Sequence, residues 1–274
     1  MNIFFYIIIF IIGTLFGSFY TLAVYRIPKR QDILYTHSYC TNCNHKLGLL
    51  DLFPIFSYIF LRGKCRYCKN KIRPRYLILE ILSGILFVTI SYLIGMNINH
   101  LTSIKIVELS FLVLYLTFII LLSGIDKENR KIDKAVNIYG IVIAIIYMVY
   151  LCIVEKANIY RYVIYLALLC ILLAVDTCLL KKKGKNYDWL QVLTLVIYTI
   201  LFTGEYVFVV TCLFFLLCIP ITIFIHKITS KRAKYVKTDK QVMQDFRFGF
   251  YFCTINLIVW IVTNFYITYM WRII

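Results

Sequence analysis

Four cysteines fall into two pairs, Cys40-x-x-Cys43 and Cys65-x-x-Cys68, separated by 21 residues. A CxxC turn presents both sulfurs to the same side, and two such turns set four thiolates tetrahedrally around one Zn²⁺. Cys40, Cys43, Cys65 and Cys68 therefore read as metal ligands. Reduced thiols without an ion, or two disulfides, are the competing arrangements. Disulfides need an oxidising compartment, which the charge pattern below argues against. His37 and His45 lie beside the first pair, as substitute ligands or as solvated loop residues.

Carboxylates are the second chemical group, and with only 13 Asp and Glu in 274 residues their positions are informative. Asp126 follows Ser123-Gly124-Ile125 at the end of an apolar stretch, with Lys127, Arg130 and Lys131 beyond it. Asp188 follows a lysine-rich run at 181–187 and opens the next apolar stretch. Two carboxylates brought together at such a boundary hold one proton between them. One then activates a water while the other protonates a leaving amine, which is aspartyl proteolysis. On the residues alone, balancing nearby lysines at helix ends is the simpler role. Asp176, inside an apolar stretch, is a rival second acid, since ionisable groups within spans are functional candidates. No Ser, Cys or His nucleophile stands at a motif spacing from a base.

The elements that must position these groups are apolar spans. Hydrophobic residues make up 62% of the chain and aromatics 17%, far above a soluble domain. Stretches at about 3–23, 76–95, 104–123, 136–154, 162–180, 189–203, 206–225 and 248–270 are long enough, or nearly so, to cross a bilayer. The reading is an all-α polytopic membrane protein with about eight transmembrane helices and a cytoplasmic zinc-ribbon-like loop between helices 1 and 2. Three segments follow: the first helix, 1–23; the cysteine-rich loop, 24–75; and the remaining membrane region, 76–274. The stretch at 189–203 is short and is kept as a tilted span. Gly13-x-x-x-Gly17 permits close helix packing. Cys152, Cys170, Cys178, Cys212, Cys218 and Cys253 read as small apolar residues in spans.

A net charge of +17 raises the question of nucleic acid, but its distribution answers it. Lys and Arg number 11 in 24–75, four in 126–135, four in 181–187 and seven in 226–247, whereas alternate loops hold at most two each. The positive-inside rule then places the cysteine loop and both aspartates on the cytoplasmic side, with the termini outside. A basic face of this kind implies anionic membrane lipids as partners and no nucleic acid. The first stretch is not a cleavable signal peptide, because its basic residues follow the apolar run.

Gly17-Ser18, Tyr25-Arg26-Ile27-Pro28, both CxxC pairs, the run Leu61 to Cys68, Arg75-Tyr76 and Glu80 together resemble the N-terminal part of type IV prepilin peptidases. The resemblance is dense over about 16–87 and thinner beyond. It implies Asp126 and Asp188 as the catalytic pair, since the family is similar in placing two aspartates about that far apart, with Asp133 matching a secondary aspartate. The second motif departs from the family: residues 185–188 read Lys-Asn-Tyr-Asp in place of Gly-x-Gly-Asp, and Leu190 stands where a lysine is usual. Phe246-Arg247-Phe248-Gly249-Phe250 is similar to the Pro-Phe-Gly-Pro-Phe lead-in to the family's last helix, without its prolines.

What the resemblance implies is an endopeptidase of the bacterial inner membrane that removes the leader of type IV prepilins or pseudopilins. It also implies N-methylation of the new terminus with S-adenosylmethionine, Glu80 at the loop's exit being associated with that cofactor. A catalytically silent relative acting in pilus or secretion assembly is the alternative, and a transporter with a regulatory zinc loop a more distant one.

Overall fold

The computed structural model describes residues 2–33, 35–96, 102–129, 132–154, 160, 163–164, 167–168, 171, 189–232 and 247–273. Among these the long elements are all helices: α1 (Asn2–Arg26), α4 (Arg75–Leu93), α5 (Ser103–Asn129), α6 (Lys134–Val154), α7 (Trp189–Arg232) and α8 (Phe248–Ile273). Two short helices, α2 (Leu49–Leu52) and α3 (Phe56–Phe60), lie in the cysteine loop. Six helical stretches among the described residues are long and apolar enough to cross a membrane. Most of the expected span at 162–180 lies outside the described residues. The chain divides into two compact units, Met1–Val113 and Leu114–Ile274.

In the first unit α1 packs along α4 because small residues let the backbones approach. A Cβ added to Gly17 would stand 2.8 Å from the Glu80 Cα, and one added to Gly13 would stand 2.9 Å from the Gly84 Cα. The Gly-x-x-x-Gly spacing thus has the packing role expected of it. Tyr20 and Ala23 complete the buried face, while Ile3, Phe4, Ile7 and Leu15 point outward. α1 ends at Arg26, just ahead of Pro28, which has no N–H to extend the helical ladder; a single 3-10 turn follows (Ile27–Lys29), closed by Arg30 at φ 53°.

In the second unit the core is aromatic. Phe202 stacks between Tyr115 and Tyr147 at centroid distances of 4.8 and 4.7 Å, and Phe118 meets Tyr198 edge-on at 4.1 Å. A buried polar chain runs through it: the Tyr115 hydroxyl donates to Asn256 Oδ1 at 2.6 Å, and Asn256 Nδ2 reaches the hydroxyls of Thr203 and Thr211. Both threonine oxygens lie within 3.4 Å of that one nitrogen, although a straight helix would separate them by about 12 Å along its axis. The chain therefore bends sharply between them, at Gly204 (φ 80°, ψ 164°). This is the junction expected between the stretches 189–203 and 206–225.

Asp133 lies outside the helices, between α5 and α6. Sequence spacing would put it on the Asp126 face if the connection were helical. Instead α5 ends at Asn129, and the Asp133 carboxylate accepts the Ala135 N–H at 2.8 Å to cap the start of α6. A short acid serves better as an N-cap than within a helix, because it satisfies an otherwise orphan donor.

Candidate functional site

The two cysteine pairs are two copies of one hairpin. In the first, Tyr39 bridges Lys46, the Cys40 N–H donates to the His45 carbonyl at 3.0 Å, and the Asn44 N–H returns to the Cys40 carbonyl at 2.8 Å. In the second, Lys64 bridges Lys71, Cys65 N–H donates to Asn70 O at 2.8 Å, and Lys69 N–H returns to Cys65 O at 3.0 Å. The residue after each second cysteine turns left-handed, Asn44 at φ 55° and Lys69 at φ 60°. That turn curls the backbone so that both sulfurs of a pair project together.

The four sulfurs converge within 4.8 Å of one another, with Cys40 Sγ and Cys68 Sγ at 3.9 Å. Tetrahedral Zn–S bonds of about 2.3 Å require sulfurs roughly 3.8 Å apart, so this donor set fits zinc. Neither His37 nor His45 belongs to the cluster. The His45 ring instead stacks on Tyr67, at 3.6 Å between centroids. The local field favours thiolate at two positions. Backbone N–H donation at Asn70, then the Asn42 amide at 3.6 Å, pulls Cys68 down to about 6. At Cys40 partial burial pushes upward, but donors from Cys43 and Asn42 outweigh it and leave the thiol below its ordinary value. Cys43 also accepts from His45, which lowers it, yet desolvation and the neighbouring Cys40 and Cys68 sulfurs raise it to about 11.

Side chains missed by the sequence reading hold the cage in place. Arg26, buried at the end of α1, donates to the carbonyls of Asp32 and Thr36 at 2.9 Å and of His37 at 3.1 Å, fixing the path into the first hairpin. Asp51 ties the second hairpin down: it pairs with Arg66 Nε at 2.6 Å, accepts the Tyr67 hydroxyl at 3.3 Å and accepts the Gly48 N–H at 3.3 Å. An Arg embedded in Tyr-Arg-Ile-Pro and an Asp amid leucines were the available signals.

Glu80 lies in the second turn of α4, half-buried, with its carboxylate directed at the loop. It accepts the Ile55 N–H at 2.7 Å and is hydrogen-bonded by the Ser18 side chain. Ile55 occupies φ 63°, ψ −55°, and the Phe56 N–H closes onto the Pro54 carbonyl at 2.6 Å. This is a γ-turn of the rare positive-φ kind, centred on a β-branched residue that resists it. Glu80 thus pins a strained loop backbone against the two helices.

Asp126 is fully buried near the end of α5. Its Oδ2 accepts the Phe250 N–H at 2.9 Å, in the first turn of α8, where exposed backbone donors and the helix dipole favour negative charge. Gly249 makes the approach possible, since a Cβ there would sit 2.8 Å from Leu122 Cδ2 and 3.3 Å from Asp126 Oδ2. Lys127 Nζ lies 4.8 Å over the Phe250 ring. Asp188 and Asp176 lie outside the described residues.

Residues 11–94 match the family model of the Bacterial Peptidase A24 N-terminal domain. Relatives named prepilin leader peptidase/N-methyltransferase align with the chain, among them those of Klebsiella pneumoniae, Bacillus subtilis (strain 168) and Myxococcus xanthus (strain DK1622). Over these stretches the chain is similar to type IV prepilin peptidases. It is 25% identical to the Klebsiella protein over 136 residues, which is 47% of this chain and 56% of the relative. Against the Bacillus protein identity is 32% over 106 residues, 39% and 43% of the two chains. Against the Myxococcus protein it is 36% over 83 residues, 30% and 25%. The chain therefore spans about half, or less, of the length of these relatives. No solved structure matches it. The N-terminal domain model covers α1 from residue 11, the cysteine loop and α4; Asp126 falls beyond it.

Proposed function

We propose that this chain is a membrane aspartyl endopeptidase that removes the leader from type IV prepilins or pseudopilins, with Asp126 and Asp188 as its acid pair. The observation that carries the reading is Asp126: a carboxylate with no exposure at the end of an apolar helix, aimed at the first turn of another. In a chain of few acids, burying one there is costly unless it is used or fully compensated. The relatives' names add the reaction type, and the basic loops support a cytoplasmic placement of the site. A single-span substrate whose N-terminus lies in the cytoplasm would offer its leader junction at that depth. One carboxylate then orients and deprotonates a water, and its protonated partner donates to the leaving amine.

N-methylation of the released terminus from S-adenosylmethionine is the second proposed activity, following the relatives' names. Zinc is the proposed ion of the four-cysteine cage, where it supplies a fixed cross-link for the loop. Cys40, Cys43, Cys65 and Cys68 would hold it, while Arg26 and Asp51 set the hairpins that present them. Anionic headgroups are the proposed counterpart of the basic loops.

Co-expression with a prepilin from the same genome, read by gel shift of leader removal, tests the peptidase. Cleavage by the parent chain is expected, with loss in both Asp126→Asn and Asp188→Asn. Cleavage surviving both substitutions would reject the pair. No cleavage by the parent would favour the silent relative that the lost glycines before Asp188 suggest. Mass spectrometry of the product's N-terminus reads methylation independently.

A further inference from the structure

The stretch between the cysteine hairpins carries Leu49, Leu50, Phe53, Phe56, Ile59 and Phe60 on its surface, with Leu49 at 88%, Leu50 at 75% and Phe60 at 80% exposure. Contiguous apolar surface of this kind marks an interaction site. Its depth follows from α4. That helix has 19 residues, a rise of about 28 Å, so nearly all of it is needed to cross the roughly 30 Å hydrocarbon core. Glu80, in its second turn, then lies at or below the headgroup plane. The Ile55 N–H sits 2.7 Å from the Glu80 carboxylate, so the loop turn at Ile55 is held at that same depth.

We propose that residues 49–60 form a re-entrant anchor that inserts its apolar side chains into the leaflet containing the start of α4, the occupant of this surface being the phospholipid bilayer itself. Around Pro54 to Ile59 the backbone donors are paired, as water-poor surroundings require. Pro54 has no N–H; Ile55 donates to Glu80, Phe56 to Pro54 O, Ser57 to Phe53 O and Ile59 to Ile55 O. On α4 itself Ile78, Leu82 and Ile85 are exposed as well. Lys46 stands before the stretch and Arg62 and Lys64 after it, so anionic headgroups meet basic side chains at both its ends. This inference rests on α4 spanning the bilayer and is independent of peptidase activity.

The test uses the full chain in nanodiscs of phosphatidylethanolamine and phosphatidylglycerol doped with a phospholipid bearing a diazirine high in its acyl chain. After irradiation and trypsin, one peptide, 47–62, reports the anchor. Peptide 31–46 reports the solvated hairpin, and 76–105 the spanning helix. Labelling of 47–62 several-fold above 31–46, and close to that of 76–105, is expected. The Leu50→Asp/Phe60→Asp pair should lower it selectively, with 76–105 unchanged. Labelling of the parent 47–62 no higher than 31–46, beside a labelled 76–105, would overturn the proposal, whether water or another protein surface covers the stretch.

Discussion

The Asp126 carboxylate and the Phe250 backbone N–H meet at 2.9 Å, joining the end of α5 to the start of α8. An asparagine side chain can still accept that hydrogen bond, so Asp126→Asn removes acid–base capacity while keeping the contact. Gly249→Ala acts oppositely, since its Cβ would crowd Leu122 and Asp126 at 2.8 and 3.3 Å. Overpacking of this sort costs about 1–3 kcal/mol. A misplaced reacting group can lower turnover roughly a hundredfold. Thermal unfolding in nanodiscs should therefore separate the two: a Tm close to the parent's for Asp126→Asn, a clear drop for Gly249→Ala, and lost cleavage in both.

The cysteines should differ in reactivity once metal is stripped by a chelator. Cys68, lowered to about 6, is largely thiolate at neutral pH, whereas Cys43, raised to about 11, is protonated. Iodoacetamide at pH 7 should alkylate Cys68 ahead of Cys43, with the Cys68 rate rising around a pKa of about 6 and then levelling off. Re-addition of zinc should protect all four. Metal retention should fall on acidification, because protons compete for the same thiolates. Peptide mapping by mass spectrometry and zinc analysis by inductively coupled plasma read these outcomes.

Ile55 is a test of stored strain. A positive-φ conformation at a β-branched residue costs of the order of 1–3 kcal/mol, and glycine adopts it freely. Ile55→Gly should raise the Tm slightly or leave it unchanged, unlike most substitutions of a loop isoleucine. Glu80→Ala removes the acceptor that pins this turn and should speed proteolysis between Leu49 and Phe60. Glu80→Gln, which keeps an acceptor, should restore most of the protection. Limited proteolysis with N-terminal sequencing distinguishes the three variants.

Gly204→Ala isolates a backbone effect. Nothing lies within 4 Å of a Cβ built there, so no side-chain clash arises. The loss comes from φ 80° and ψ 164°, a region that essentially only glycine occupies. Destabilisation of about 1–3 kcal/mol is expected, and Asn256→Ala, which loosens the same bend, should combine with it less than additively.

Legibility in the sequence followed the range of each interaction. The cage was readable because CxxC spacing fixes local geometry, and α1, α4, α5, α6 and α8 because apolar runs of spanning length have few alternatives. The break at Gly204 lay where two apolar stretches met. Asp126 stood out only through the scarcity of acids around it. Ile55 gave no warning, since neither glycine nor asparagine flags its positive φ; the turn is imposed by Glu80, 25 positions later. The Arg26 contacts depend on where three carbonyls fall in space, which no periodicity encodes. Asp133 is placed as a cap, a role its residue type already suited.

The sulfur cage is built from two equivalent hairpins displaced by one constant interval along the chain. Each half keeps its shape through its own backbone bonds, and the intervening insert contributes none of the four clustered sulfurs. Substitutions within the insert that spare these contacts should therefore leave the clasp unchanged. Opening the clasp would leave the insert moored by the Glu80 contact at Ile55 and by the ties of Asp51 to Arg66 and Tyr67.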